Sequence, residues 1–305
     1  MTAAKSWVDE ALAIVAGRTG VRCLRDVPMS GRTYLGIGGP APVLLVPEDA
    51  ASLAPVLAGF SDAGVPFAYL GAGSNLLVAD AGPSFVVIAA SGLAAAPRVE
   101  GDTVEVGAGY SVPRLVTWLT KAGLAGLEFA EGIPASVGGA VRMNAGWHEG
   151  EFGGRVAALA TVSRRGGLEA IPAGPGLFAY RSSPGVGDRF VAAATLRLEP
   201  DDPARIAERV RGYRDHRVRT QPTGARNAGC IFKNPPGDHA GRLIDSCGLK
   251  GRSVGAAVVS EEHANFILNR GGATCRDVAA LIDVVRDAVF RTTGVTLEPE
   301  VIRWT

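Results

Sequence analysis

The sequence predicts an α+β fold, and three observations carry that expectation. A strand–helix–strand pattern fills residues 40–90. Short strand-like runs dominate 100–200. After a break at Asp201-Asp202-Pro203, helices and strands mix to the end of the 305-residue chain. Apolar residues make up 47% and charged residues 20%, an ordinary globular mixture. A chain of this length is expected to form about two domains with a sizeable core.

The elements follow in order. MTAAKSWVDEALAIVAGRTG reads as a short amphipathic helix, not a signal peptide: it lacks a long apolar core followed by a small-residue cleavage site. PVLLVP is a strand. Asp49 to Gly64 is a helix with Leu53, Val56, Leu57 and Phe60 at helical spacing and Gly64 as its stop. FAYLG and FVVIAA complete a β-α-β unit. VEVGAG, VAALATVSR, LEAIP and FVAAATLRLEP read as strands, interrupted by a helix from Pro113 to Ala122 and one long glycine-rich loop. An Arg-rich helix is expected over 204–218, then helices near 240–247 and 276–291, the latter with a Thr274-to-Asp277 capping pattern. AAVVS, ANFIL and EVIRW are the remaining strands.

Composition excludes several function classes. With 31 basic and 30 acidic side chains the net charge is +1, without the basic excess that binding nucleic acid or an anionic membrane needs. No apolar run reaches the roughly 18 residues of a membrane span. Cys23, Cys230, Cys247 and Cys275 lack C-x-x-C spacing, so reduced thiols and no metal site are expected. Glycine, at 41 residues, is about twice as frequent as usual and clusters in short loops.

Four segments could carry chemistry. Gly71-Ala72-Gly73-Ser74-Asn75-Leu76 follows a strand; it lacks the third glycine of a dinucleotide fingerprint and the G-K-[ST] of a P-loop. Alone it reads first as a tight strand-exit turn and second as an anion loop whose N–H groups, with Ser74 and Asn75, face the ligand. Glu131 to Ala140, followed by Asn144-Ala145-Gly146, is bare of large side chains and reads as a ligand contact ahead of a buried connector. Asn227 to Pro235 gathers Cys230, Lys233 and Asn234; taken alone, the thiol reads as a small buried hydrophobe. Glu298-Pro299-Glu300 puts two carboxylates on one side of a strand, which alone reads as a solvated edge.

Together these segments resemble one family. The order T-x-x-x-I-G-G-P-A (Thr33 to Ala41), L-G-A-G-S-N-L-L, G-I-P-A-S-V-G-G-A with M-N-A-G, A-Y-R-S-S, Q-P with A-G-C-I-F-K-N-P, A-G-R-L-I-D with G-L-K-G, V-S-E-E-H-A-N-F-I-L-N and L-E-P-E-V is similar to the UDP-N-acetylenolpyruvoylglucosamine reductases, in their shorter type. The likeness runs from about Thr33 to Val301. It implies a two-part FAD-binding fold of the p-cresol methylhydroxylase and vanillyl-alcohol oxidase kind, residues 1–85 and 86–200, and a substrate-binding domain, 201–305. It implies a cytoplasmic enzyme of peptidoglycan precursor synthesis, expected as a monomer. NADPH reduces FAD, and hydride then passes to the enolpyruvyl ether of UDP-N-acetylglucosamine enolpyruvate.

The resemblance also implies site residues. FAD falls to Gly38, Gly39, Gly71, Ala72, Gly73, Ser74, Asn75, Leu76, Gly132, Ile133, Pro134, Val137, Gly138, Gly139, Asn144, Ala145 and Gly146. Arg181 matches the group facing the substrate carboxylate, Cys230 the proton donor, and Glu300 the catalytic glutamate. Tyr180, Lys233, Asn234 and His263 match substrate contacts. Arg217 and its basic neighbours could meet the diphosphate; a solvated helix face accounts for them equally well. The chain departs from the family where Trp147-His148-Glu149 replaces A-Y-G and Ala135 replaces a frequent glycine. A related oxidoreductase on another nucleotide sugar, a hydrolase using Cys230 with His239 or His263, and a non-catalytic FAD-binding protein are the alternatives.

Overall fold

A computed structural model describes residues 6–147 and 150–304. The chain forms two compact units that interleave in sequence. The first takes 1–27, 42–72 and 84–215; the second takes 28–41, 73–83 and 216–305.

Among the described residues the first unit has two short two-stranded sheets and two larger ones. One orders its strands Val21–Pro28, Pro40–Pro47, Val86–Ala89 and Phe67–Leu70, with the last three parallel to one another. Helices α1 (Trp7–Val15) and α2 (Ala50–Ala63) pack together beside it. The Asp49 carboxylate caps α2 by accepting the Ser52 N–H at 2.7 Å, and Gly64, at φ 66°, ends it. The expected β-α-β unit is therefore present, with Val21–Pro28 added at its edge. The second sheet is antiparallel, in the order Leu168–Pro172, Val156–Val162, Phe190–Arg197, Thr103–Gly107 and Arg98–Glu100. Helix α3 (Val112–Ala122) begins with Pro113 in its first turn, where the missing N–H costs nothing, and stops at Gly123.

One difference from the sequence reading lies in the glycine-rich stretch, which is not a free loop. Ser136 accepts the Gly139 N–H at 3.3 Å and starts a short helix, α4 (Val137–Arg142). Its approach is bonded to the preceding segment: Val112 N–H to Ala135 O, Val137 N–H to Tyr110 O and Gly138 N–H to Ala108 O, at 2.8–2.9 Å. Apolar residues such as Phe60, Phe152 and Phe190 fill the core of this unit.

Helix α5 (Pro203–Thr220) leads into the second unit. There, Arg226–Cys230, Phe266–Asn269, Ala257–Val259 and Ser253–Val254 form an antiparallel sheet. Helix α6 (Ala240–Ser246) packs on α7 (Cys275–Thr293), and α7 packs on the sheet. The Thr274–Asp277 capping box is formed in full. Leu35, Ile37 and Leu77 are buried with Phe232, Leu281 and Ile282 in this unit's own core. Leu76–Val78 pairs in parallel with Ile302–Trp304.

Candidate active site and cofactor cradle

In the first unit the two glycine segments meet. A Cβ on Gly71 would lie 2.8 Å from Ser136 Oγ and 3.4 Å from Gly139 Cα. Packing within the protein accounts for other glycines nearby: a Cβ on Gly138 would press on Ala108 and one on Gly146 on Gly150 O, at 2.9 and 2.5 Å. It does not account for Gly139, where a Cβ would meet only Ser136 Oγ, at 3.3 Å, and where glycine weakens the helix by about 1 kcal/mol. Bare main chain at Gly139 fits a large flat cofactor, with Gly132, Ile133, Pro134 and Val137 on the same connected stretch.

Gly38, Gly39 and Gly73 belong to the second unit. A Cβ there would collide with Met29 and Val78, with Asp80 O, and with Arg32 O at 2.8, 2.3 and 1.9 Å respectively. These glycines are required by chain-on-chain packing, a reason the sequence reading did not supply.

Asn144 and Arg181 share an unusual backbone. Asn144, 1% exposed, sits at φ 41° and Arg181 at φ 51°, the left-handed region that costs a side-chain-bearing residue about 1–3 kcal/mol. Asn144 Nδ2 donates to Glu151 Oε2 at 2.8 Å and to Ala179 O at 3.1 Å, while its Oδ1 accepts the Gly153 N–H at 2.8 Å. Ser183 Oγ donates to Arg142 O at 2.9 Å. Both bonds tie the tight turn Ala179–Ser182, which carries Tyr180 and Arg181, to the end of α4 and the residues after it. The Arg181 guanidinium lies 5.1 Å from the centroid of the half-exposed Tyr180 ring.

In the second unit the main chain of Glu300 is bonded to the residue that follows Cys230. Cys230 ends its strand after Gly229, which sits at φ 74°, and faces Phe266 across a register shift. The Glu300 N–H donates to Ile231 O at 2.7 Å, and Phe232 bridges Pro299. Asn75 Nδ2 donates to Glu300 O at 3.1 Å. Glu298 does not act as a second carboxylate beside Glu300: it is exposed, and its Oε1 accepts Lys233 Nζ at 2.6 Å.

The remaining candidates have partners of their own. Asn234 Oδ1 accepts the Ala240 N–H at the start of α6, at 3.0 Å. Arg217 Nη1 donates to Gln221 at 3.0 Å. His263 Nδ1 accepts the Asn265 N–H at 3.2 Å, and its ring meets Phe266 edge-on at 4.9 Å. Burial first, then Lys250, pushes the imidazole below the ordinary histidine range. Sequence reasoning missed Asn265, whose buried amide both donates to Phe232 O and accepts Phe232 N–H, at 2.8 and 3.0 Å, fixing the segment after Cys230. It named Glu131 only as the start of a segment and passed over Glu128; both are 8% exposed and pair with Arg209 and Arg214 of α5.

Comparison with known proteins decides what this arrangement belongs to. The profile of the UDP-N-acetylenolpyruvoylglucosamine reductase C-terminal domain matches residues 221–304, and that of an FAD-binding domain matches 41–168. UDP-N-acetylenolpyruvoylglucosamine reductase of Geobacter sulfurreducens is 44% identical over 91% of this chain and 92% of its own. That of Alkalilimnicola ehrlichii is 46% identical over 90% and 92%. The chain belongs to the UDP-N-acetylenolpyruvoylglucosamine reductase family.

The crystal structure of the family member from Thermus caldophilus superposes with a TM-score of 0.79 at 38% identity, covering 93% of this chain and 99% of that one. The chain is thus a reductase with an FAD-binding domain, a flavoprotein oxidoreductase. The FAD-domain match contains Gly71 to Leu76 and Gly132 to Gly146; the C-terminal match contains Cys230, His263 and Glu300. Trp147 packs on Tyr213 of α5 with ring centroids 5.7 Å apart. His148 and Glu149 lie outside the described residues.

Proposed function

We propose that this chain reduces the enolpyruvyl ether of UDP-N-acetylglucosamine enolpyruvate to UDP-N-acetylmuramate with NADPH, in the cytoplasm, as a step of peptidoglycan precursor synthesis. The observation that supports the reading is the main-chain bond from Glu300 to Ile231, which joins the backbone of the glutamate to the residue after the cysteine in a chain of this family. Bound FAD would supply the hydride carrier between NADPH and the substrate.

The chain's own groups then handle charge and protons. As hydride reaches the terminal carbon, negative charge builds on the substrate carboxylate. Arg181 meets that charge with two parallel N–H groups, and its turn is fixed by Asn144 and Ser183 before substrate arrives. Cys230 gives its proton to the second carbon. A thiol with an ordinary pKa near 8.5 is neutral at pH 7 yet yields its proton far more readily than an alcohol. Glu300, protonated, stabilises the developing enolate from the segment bonded to Ile231.

Anaerobic stopped-flow on the flavin absorbance tests this. NADPH is expected to bleach the oxidised band, and the enolpyruvyl nucleotide to restore it. Cys230→Ser retains substantial activity, whereas Cys230→Ala is still reduced by NADPH but is not reoxidised by substrate. Loss of both half-reactions in the alanine variant, with FAD bound, removes the proton-donor role.

A further inference from the structure

We infer that Asn75 is a positioning residue for Glu300, and that its side chain serves this carboxylic acid and not the dinucleotide. The inference rests on the role proposed above for Glu300.

The geometry is local to the second unit. Gly73 lets the chain turn against Arg32 O, and Leu76–Val78 then runs parallel to Ile302–Trp304. The Ile302 N–H donates to Asn75 O at 3.0 Å, so the two segments are in register from Asn75 onward. Asn75 Nδ2 reaches Glu300 O at 3.1 Å. A carbonyl only accepts, so the donor end of the carboxamide must face it.

On the other side the Glu300 N–H donates to Ile231 O at 2.7 Å. Both peptide groups of Glu300 are therefore held, one by Asn75 and one by the residue after Cys230. Pro299 fixes the backbone angle just before them. With the backbone pinned at three successive points, the Glu300 side chain leaves from a fixed Cα. Removing the Asn75 amide frees one of those points and leaves the other two. A displacement of about 1 Å at a catalytic group can slow its step up to about 100-fold.

The experiment uses the full-length, FAD-loaded protein in five forms: unsubstituted, Asn75→Ala, Asn75→Asp, Glu300→Gln and the Asn75→Ala/Glu300→Gln double variant. Asn75→Asp keeps the volume and loses the donor. Because Asn75→Ala keeps the main-chain N–H groups of the loop, its FAD affinity, read by quenching of flavin fluorescence, is expected to change less than about threefold, whereas Asn75→Asp, which adds a negative charge to that loop, serves only for the reoxidation measurement. Reoxidation by the enolpyruvyl nucleotide slows about 10- to 100-fold, and the pH at which that rate falls moves. In the double variant the Asn75 substitution adds less than about twofold to the Glu300→Gln defect, because two residues acting through one group are not additive.

Loss of FAD from Asn75→Ala would overturn the inference, as would unslowed reoxidation, an unmoved pH profile or a fully multiplicative double variant. If instead Glu300→Gln is itself reoxidised at the unsubstituted rate, the role of Glu300 falls, and the inference falls with it. That result is distinct from failure of the Asn75 variants beside a crippled Glu300→Gln.

Discussion

Asn144 holds the turn that carries Arg181 while itself bent into a backbone conformation asparagine tolerates better than most side chains. Its side chain is saturated by Glu151, Ala179 and Gly153. Asn144→Ala keeps the backbone strain and removes three part-buried hydrogen bonds, so a loss of about 1–3 kcal/mol is expected in urea unfolding. Asn144→Asp keeps the shape but sets a second carboxylate against Glu151 and Ala179 O. It should be at least as unstable, and its deficit should shrink as pH falls and one carboxyl protonates. Gly73→Ala tests a requirement of packing: a Cβ 1.9 Å from Arg32 O at φ 71° should cost more than about 2 kcal/mol by the same measurement, whether or not FAD is added.

Among the elements, α5 is joined by charge to the residues that precede the glycine-rich stretch. Glu128 accepts the Gly126 N–H at 2.7 Å and two N–H groups of Arg209 at 3.0 and 2.6 Å; Arg209 also reaches Asp201 at 2.8 Å. Removing the arginine leaves a nearly buried carboxylate without its counter-charge, but the arginine is 42% exposed and water screens the pair. Arg209→Ala is therefore expected to cost only about 1–2 kcal/mol in chemical denaturation, and Glu128→Gln combined with it should recover part of that loss.

The start of α6 is sensitive to acid. Bonds from the Arg242 guanidinium, then from the His239 N–H, pull the Asp238 carboxyl down to about 2. A carboxyl lowered in the folded state stabilises the fold above its ordinary value near 4, and that contribution disappears as pH falls from about 4 to about 2. The helix-capping carboxyls Asp49 and Asp277 are lowered as well, chiefly by N–H groups of Ser52 and Thr274. Acid titration of circular dichroism should show the fold weakening across that window, and Asp238→Asn should flatten part of the slope.

At the scale of the whole molecule, much of the architecture could be read in the chain. The helices were legible because their ends are written in local chemistry: Asp49 and Gly64, Pro113 and Gly123, Thr274 and Asp277. The α+β class and the FAD-binding fold were legible for the same reason, together with the motif order. Helix α4 was not, because glycine and alanine in its turns give no periodic apolar signal and Ser136 alone marks its start. Val21–Pro28 was hidden by its mixed exposure as an edge strand. In the candidate site, residue types were readable but attachments were not. The Asn75–Glu300 bond spans 225 positions, and Asn265 addresses a main chain 33 positions away. Side chains that grip backbone leave no complementary residue to find.

The division of the units has its own test. Residues 28–41 and 73–83 supply Leu35, Ile37 and Leu77 to the second core and a strand to Ile302–Trp304. A fragment limited to 216–305 lacks all of these. It should show neither cooperative unfolding nor dispersed amide resonances, and adding the two missing stretches on linkers should restore both.

A polypeptide threaded back and forth in this way offers no single seam for recombination. A chimaera spliced once between two homologues inherits the parallel partner of its last strand from one parent and that strand from the other. Shuffling within this lineage is thereby pushed toward exchanges that carry all three stretches at once, or toward parents already alike at Asn75, Leu77 and Ile302.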